Sequence, residues 1–173
     1  KPAMGSILFA HEVPNKGGDT LFSCMHSAYE GLSDCLKSKL SKMKARHSSR
    51  HVFGPARAER NDDTVGRIKN ADIAKQDAVH PVIITHPETL KKILYVNPTF
   101  TLGFEGWTVA ESKPLLNYLY AHSSRPDYTC RFQWKVGSIA FWDNRSTWHL
   151  AINDYQGKRR LMHRITIEGD KLK

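Results

Sequence analysis

Between Cys130 and Ile167 the chain carries four short β-like runs, Cys130–Trp134, Gly137–Trp142, Thr147–Ala151 and Leu161–Ile167, with no helical pattern separating them. Short strands in close succession build a β-sandwich or jelly roll; an alternating parallel sheet needs helices between its strands. The rest of the chain keeps its helices and strands similarly apart. Gly5–Val13 (GSILFAHEV) is a β-rich apolar run stopped by the turn formers Pro14 to Asp19, and His80–His86 with Lys92–Asn97 reads as a hairpin about Pro87-Glu88. Met25, Ala28, Tyr29, Leu32, Leu36 and Leu40 recur at intervals of three and four, which predicts one amphipathic helix from about Leu21 to Met43 with its lysines outward. Leu115, Leu116, Leu119 and Tyr120 predict a second helix over Val109–His122. The fold class is α+β around a β-sandwich or jelly roll.

At 173 residues, 40% of them apolar, the chain can fill one sizeable core, and residues 1–173 read as a single domain. Arg46–Gln76 is polar and weakly periodic, so about residues 44–78 are expected to form a long loop or a lid-like insertion. No run of about 18 apolar residues is present and no charged-then-apolar leader opens the sequence, which makes a soluble cytoplasmic protein the default. The three cysteines, Cys24, Cys35 and Cys130, fit neither a disulfide framework nor a CxxC metal site and are expected to be reduced and mostly buried. Much of the net charge of +9 falls between Lys37 and Lys69. That stretch reads first as the solvated face of a helix followed by a polar connection, next as a field steering an anionic small substrate, and last as a nucleic-acid surface, since no helix-turn-helix, zinc-finger or aromatic RNA-binding pattern accompanies it.

Along the last β-like run side chains alternate, so Arg160, Met162, Arg164 and Thr166 share one face while Leu161, His163, Ile165 and Ile167 share the other. On a solvated face the two arginines are ordinary surface charges. If the face lines a cavity, each guanidinium needs an anion, because burying it unpaired is very costly. Such an interior suits two anionic guests.

The run WDNRSTWHLAINDYQGKRRLMHRITIEGD, with PAMGSILFAHEVPNKGGDTLFS near the start and HPVIITHPETLKKILYVNPTF in the middle, resembles the taurine dioxygenase family over nearly the whole chain, Arg46–Gln76 being the poorest match. The resemblance implies a double-stranded β-helix (jelly-roll) core with flanking helices, and a dioxygenase that uses Fe(II) and the co-substrate 2-oxoglutarate. It makes His149 an iron ligand, with Arg160 and Thr20 binding the distal carboxylate of 2-oxoglutarate. It makes Arg164 the holder of an anionic substrate head group, Phe53 and Phe100 walls of the substrate site, and Trp142 a neighbour of the iron. The implied partners are O2 and a small anionic organic molecule, a sulfonate or sulfate ester before a carboxylate, with a homo-dimer or tetramer expected and no membrane.

The family's other two iron ligands form a His-x-Asp or His-x-Glu pair, placed by the resemblance shortly before the block that here begins at Lys1-Pro2, so a segment upstream is expected to carry them. No His-x-Asp occurs in the chain, and its one His-x-Glu, His86-Pro87-Glu88, sits in the hairpin turn and is not expected to bind iron. Residue by residue, blander roles stand beside these: Arg164 could pair with an acid of the protein, Thr20 could cap the helix expected from Leu21, and Trp142, Phe53 and Phe100 could be plain core aromatics. As a whole, the chain could instead be a non-catalytic relative that binds an anion without iron, or a basic nucleic-acid module.

Overall fold

A computed structural model describes residues 2–50, 77–170 and 172. In chain order they form strands β1 (Gly5–Glu12) and β2 (Thr20–Cys24), helices α1 (Met25–Glu30) and α2 (Asp34–Leu40), strands β3 (Lys44–Ser48), β4 (Asp77–Pro81), β5 (Ile83–Thr85), β6 (Lys92–Leu94) and β7 (Thr101–Phe104), helix α3 (Val109–Ser123), a 3-10 turn (Pro126–Tyr128), and strands β8 (Thr129–Phe132), β9 (Ile139–Asp143), β10 (Thr147–Ala151) and β11 (Leu161–Ile167). The content is mixed helix and sheet, with the short C-terminal strands where the alternation put them. No helix among the described residues is long and apolar enough to cross a membrane. The chain divides into two compact units, one of Lys1–Ser33, Ile84–Tyr95 and Ala121–Lys173, the other of Asp34–Ile83 and Val96–Tyr120.

The first unit holds two three-stranded antiparallel sheets, ordered β11-β1-β9 and β10-β2-β8. In the first sheet Leu8 lies opposite Arg164 and Ala140, and Ser6 opposite Thr166 and Trp142, so these residues share a face. In the second sheet His149 lies opposite Phe22, and Thr20 opposite Phe132 and Ala151. The Trp142 ring stands 5.3 Å from that of Phe22 and 4.8 Å from that of His149, so these two faces meet. The other side of β11-β1-β9 is also apolar, with Ile7 and Phe9 beside Ile139, Phe141 and Ile165. Apolar residues on both sides explain why β1 reads as a continuous hydrophobic run. The expected hairpin forms between β5 and β6, closed by the Leu90 N–H on the His86 carbonyl at 2.8 Å.

The second unit contains the antiparallel sheet β4-β3-β7, helix α2 and α3 as far as Tyr120. Its core includes Leu40, Ala45, Val82, Phe104, Leu116 and Leu119, all at most 5% exposed. Helix α3 starts with a reciprocal cap: the Thr108 N–H donates to Glu111 Oε2 at 2.8 Å and the Glu111 N–H to Thr108 Oγ1 at 3.2 Å. Strands β3 and β4 border the expected insertion, whose residues 51–76 lie outside the described residues.

Several expectations are corrected. The single helix from Leu21 to Met43 is instead β2 followed by α1 and α2. β2 is the central strand of its sheet, bonded on both sides, and this pairing overrides the local helical pattern. Helix α1 stops at Gly31, against which the Tyr128 hydroxyl packs so closely that a Cβ would lie 1.9 Å from it. Thr20 is therefore a strand residue and caps no helix; the residue before α1 is Cys24, which makes no side-chain cap. The run His80–His86 is two strands in different sheets, parted at Val82. Cys24, Cys35 and Cys130 are free, as expected, but exposed and not buried.

Candidate active site

β10 places His149 on the inner face of its sheet, with the Trp142 indole alongside. His149 as a residue is exposed, yet its imidazole packs beside Trp142, and desolvation there, followed by the charge of Arg164, lowers its pKa to about 4. Near neutral pH it is uncharged, the form that can donate a lone pair to a metal. Among the described residues no group of three His, Cys, Asp or Glu is placed to hold a metal ion. His86 and Glu88 do other work: His86 Nε2 lies 3.0 Å from Asp143 Oδ2, His86 Nδ1 lies 3.1 Å from Glu88 Oε2, and Arg145 Nη2 donates to Glu88 at 3.1 Å. Arg145 Nε and its backbone N–H both donate to Asp143 Oδ1, at 2.9 and 2.8 Å. Burial acts to raise the Asp143 pKa, but the hydrogen bonds from Arg145 and His86 outweigh it and hold the carboxyl below its ordinary range. This network pins the turn between β9, which carries Trp142, and β10, which carries His149.

Arg160 stands just before β11. Its Nε donates to the Gly18 carbonyl at 3.1 Å, and its guanidinium lies 5.8 Å from the Trp134 ring centre and 5.9 Å from that of Tyr155. Its Nη2 is buried and has no hydrogen-bond partner. The accepting turn is built for close approach: Gly17 and Gly18 adopt φ of +83° and +75°, and the Gly18 N–H donates to Asp154 Oδ1 at 2.7 Å. Thr20 is 2% exposed, and its hydroxyl accepts from Trp134 Nε1 at 2.9 Å, leaving the hydroxyl proton for a further acceptor. Trp134 thus touches both groups that could hold one carboxylate.

Arg164 lies within β11, four residues after Arg160 and opposite Leu8 of β1. Its Nη2 donates to Ser6 Oγ at 2.8 Å and its guanidinium lies 5.8 Å from the Trp142 ring centre. Burial lowers its pKa. Ser6 is fully buried, and Asn144 Nδ2 donates to the same Oγ at 3.0 Å. Neither arginine forms an ion pair with a carboxylate among the described residues, whereas Arg125, Arg131, Arg145 and Arg159 each do.

The structure brings His149, Trp142, Thr20, Arg160 and Arg164 together in the first unit. Phe100 belongs to the second unit, in the turn before β7, where its carbonyl accepts the Ser48 N–H at 2.9 Å; Phe53 lies outside the described residues. Sequence reasoning missed Ser6, Asn144, Trp134, Tyr155 and Asp154. Ser6 alone had a signal, the alternation of β1; the others act through contacts across more than a hundred residues of chain or lie in turns.

The first unit thus combines antiparallel sheets with two arginines that no carboxylate neutralises among the described residues and a histidine uncharged near neutral pH. Comparison with known proteins gives the class a name. Residues 1–166 match the profile of the taurine catabolism dioxygenase TauD, TfdA family, and the chain belongs to that family. It is 37% identical over 166 residues to an alkylsulfatase of Acinetobacter baylyi, covering 95% of this chain and 52% of that protein. It is 30% identical to an alpha-ketoglutarate-dependent sulfate ester dioxygenase of Pseudomonas putida, covering 95% of this chain and 55% of that protein. A solved taurine dioxygenase from Burkholderia xenovorans superposes with a TM-score of 0.82 at 35% identity, over 99% of this chain and 54% of that one. The chain thus spans about half the length of the relatives it matches.

Proposed function

We propose that this chain is the 2-oxoglutarate- and anion-binding part of an Fe(II)- and 2-oxoglutarate-dependent dioxygenase that hydroxylates a small sulfonate or sulfate ester. The observation that carries the reading is the pair of guanidinium groups of Arg160 and Arg164, each held by neutral partners and neither neutralised by a carboxylate among the described residues. A cation half-removed from water and left without a counter-ion is unfavourable unless a ligand supplies one.

Arg160 fits a carboxylate: its buried, unpartnered Nη2 is available, and the Thr20 hydroxyl has a proton to donate, so the distal carboxylate of 2-oxoglutarate would be held by both. His149 would supply one neutral nitrogen to iron(II), the remaining ligands coming from the part of the family fold this chain does not span. When bound, iron(II) with 2-oxoglutarate and O2 supplies the oxidation: one oxygen atom enters a substrate C–H bond as hydroxyl, and the other enters succinate as CO2 leaves. Arg164 would grip the anionic head group and so fix which carbon is presented. The two sheets of the first unit would form a jelly-roll core. Trp142, between Arg164 and His149, keeps water from the gap between the two ligands.

The test is anaerobic titration of the full-length protein with iron(II) and 2-oxoglutarate, following the visible charge-transfer band of the chelate. A saturable band that His149→Ala abolishes is expected. If 2-oxoglutarate binds but no band forms at any iron concentration, the protein is an anion binder without iron and the catalytic reading fails.

A further inference from the structure

We infer that Ser6 and Asn144 are positioning residues that orient Arg164 as the substrate's anion receptor and set its placement relative to His149. The inference rests on the reading of Arg164 given above. Arginine reaches its ligand on a long stem with several rotatable bonds, so a receptor that is not held in place loses affinity to the cost of ordering it. Here the stem is held at its tip. Ser6 Oγ accepts from Arg164 Nη2 at 2.8 Å and from Asn144 Nδ2 at 3.0 Å, which fills both its lone pairs. Its own proton is directed at Asn144 Oδ1, 3.3 Å away, and the same Oδ1 accepts from Trp142 Nε1 at 2.8 Å. One amide therefore fixes both the hydroxyl beneath the guanidinium and the indole beside it.

The parts come from distant stretches of chain. Ser6 lies on β1, Asn144 in the turn after β9, and Arg164 on β11. Asn144 is itself held: its N–H donates to the Met4 carbonyl at 2.8 Å, and its neighbours Asp143 and Arg145 belong to the ion network with His86 and Glu88. The Trp142 ring stands 4.8 Å from the His149 ring and 5.8 Å from the Arg164 guanidinium, so orienting the indole relates the anion receptor to the candidate metal ligand.

The chemical identity of the holders matters as much as their geometry. A hydroxyl oxygen and an amide are neutral, so they fix the guanidinium without cancelling its charge. A carboxylate in either place would orient it equally well and occupy it. Serine and asparagine leave the receptor both ordered and empty of charge compensation, the condition for strong binding of an external anion.

The test uses the full-length protein loaded anaerobically with iron(II), with hexyl sulfate and 2-oxoglutarate as the two probes measured separately by calorimetry. Ser6→Ala removes one hydroxyl; Asn144→Asp keeps the shape and the acceptor for Trp142 but brings a negative charge to the hydroxyl under Arg164. Each is expected to weaken hexyl sulfate binding about tenfold or more, with 2-oxoglutarate affinity within about twofold of wild type and little change in melting temperature. Turnover is expected to become less coupled, with more 2-oxoglutarate consumed per hexyl sulfate oxidised. If both variants bind hexyl sulfate as the wild type does, the pair positions nothing. If both probes weaken together as the melting temperature drops, the pair only supports the fold and the inference is overturned. If wild type binds 2-oxoglutarate but not hexyl sulfate, the reading of Arg164 fails and takes this inference with it.

Discussion

Replacing Arg160 with glutamine separates a functional cation from a structural one. In the ligand-free fold the guanidinium contributes one hydrogen bond to the Gly18 carbonyl, worth about 1 kcal/mol, and two contacts with aromatic faces, worth about 0.5–1 kcal/mol each. Against this stands a buried Nη2 with no partner, whose desolvation costs about 1–3 kcal/mol. The terms offset to within about 2 kcal/mol, so the melting temperature of ligand-free Arg160→Gln is expected to lie within roughly 4–8 °C of wild type. Binding behaves differently. Two charge-assisted hydrogen bonds to a carboxylate, at about 1.5–3 kcal/mol each, weaken 2-oxoglutarate at least about a hundredfold when lost. At a ligand concentration of 100 times its dissociation constant, wild type gains about 2.7 kcal/mol, a rise of roughly 5–11 °C for a chain of this size. The variant is expected to show almost none of that rise at the same concentration. Differential scanning fluorimetry with and without 2-oxoglutarate reads both quantities. A fall of more than about 10 °C without ligand would refute the reasoning by making Arg160 a structural tie; a ligand-induced rise equal to that of wild type would refute it by placing the carboxylate elsewhere.

Two further outcomes follow from the turns around the site. Gly17 has a φ of +83°, and a Cβ there would lie 2.6 Å from Asp154 Oδ1 and 2.8 Å from the Asp154 carbonyl, so Gly17→Ala is expected to cost about 1–3 kcal/mol in urea unfolding and to weaken 2-oxoglutarate binding by shifting the carbonyl that holds Arg160. The Asp143 carboxyl has a folded-state pKa below its ordinary 3.8, so the stability it contributes is present above that value and is lost as pH falls through the folded value. Arg145→Met removes the hydrogen bonds that lower this pKa and leaves the burial that raises it, and the acid-unfolding midpoint is expected to move to higher pH; a midpoint unchanged from wild type would show that the ion network adds nothing to the turn.

Much of the fold was legible because short strands announce themselves by alternation and by the turns that end them. The limits of β10 and β11 match the sequence reading, but Arg160 falls just before β11, so the period of two reaches only Arg164 of the two arginines. The stretch from Leu21 to Met43 was misread because Met25, Ala28, Leu32 and Leu40 do form a buried set with helical spacing, whereas Thr20–Cys24 takes its conformation from strands 100 or more residues away. Cysteine burial was wrong for a related reason: small apolar side chains are usually interior, but Cys24 and Cys130 belong to strands whose side chains here remain accessible. The candidate site divides along the same line. The charged side chains and the histidine stood out in the sequence, while Ser6, Asn144 and Trp134 make contacts that exist only once distant strands have paired.

That division bears on why the two arginines remain free. Acids are not scarce around them: Asp19 is taken by Arg131 at 2.6 Å, Asp154 by the Gly18 N–H at 2.7 Å, Glu12 by Arg159 at 3.1 Å, and Asp143 by Arg145 and His86. Each of these carboxylates is held by a partner other than Arg160 or Arg164, while the two inward arginines are given a carbonyl, a hydroxyl and aromatic faces. The most buried of these guanidinium groups, that of Arg145, is paired with Asp143 and Glu88, whereas Arg160 and Arg164, both more accessible to solvent, are left without a carboxylate among the described residues. An anion that bound would supply that pairing, and two such cations, Arg160 just before β11 and Arg164 within it, would suit two separate anionic guests.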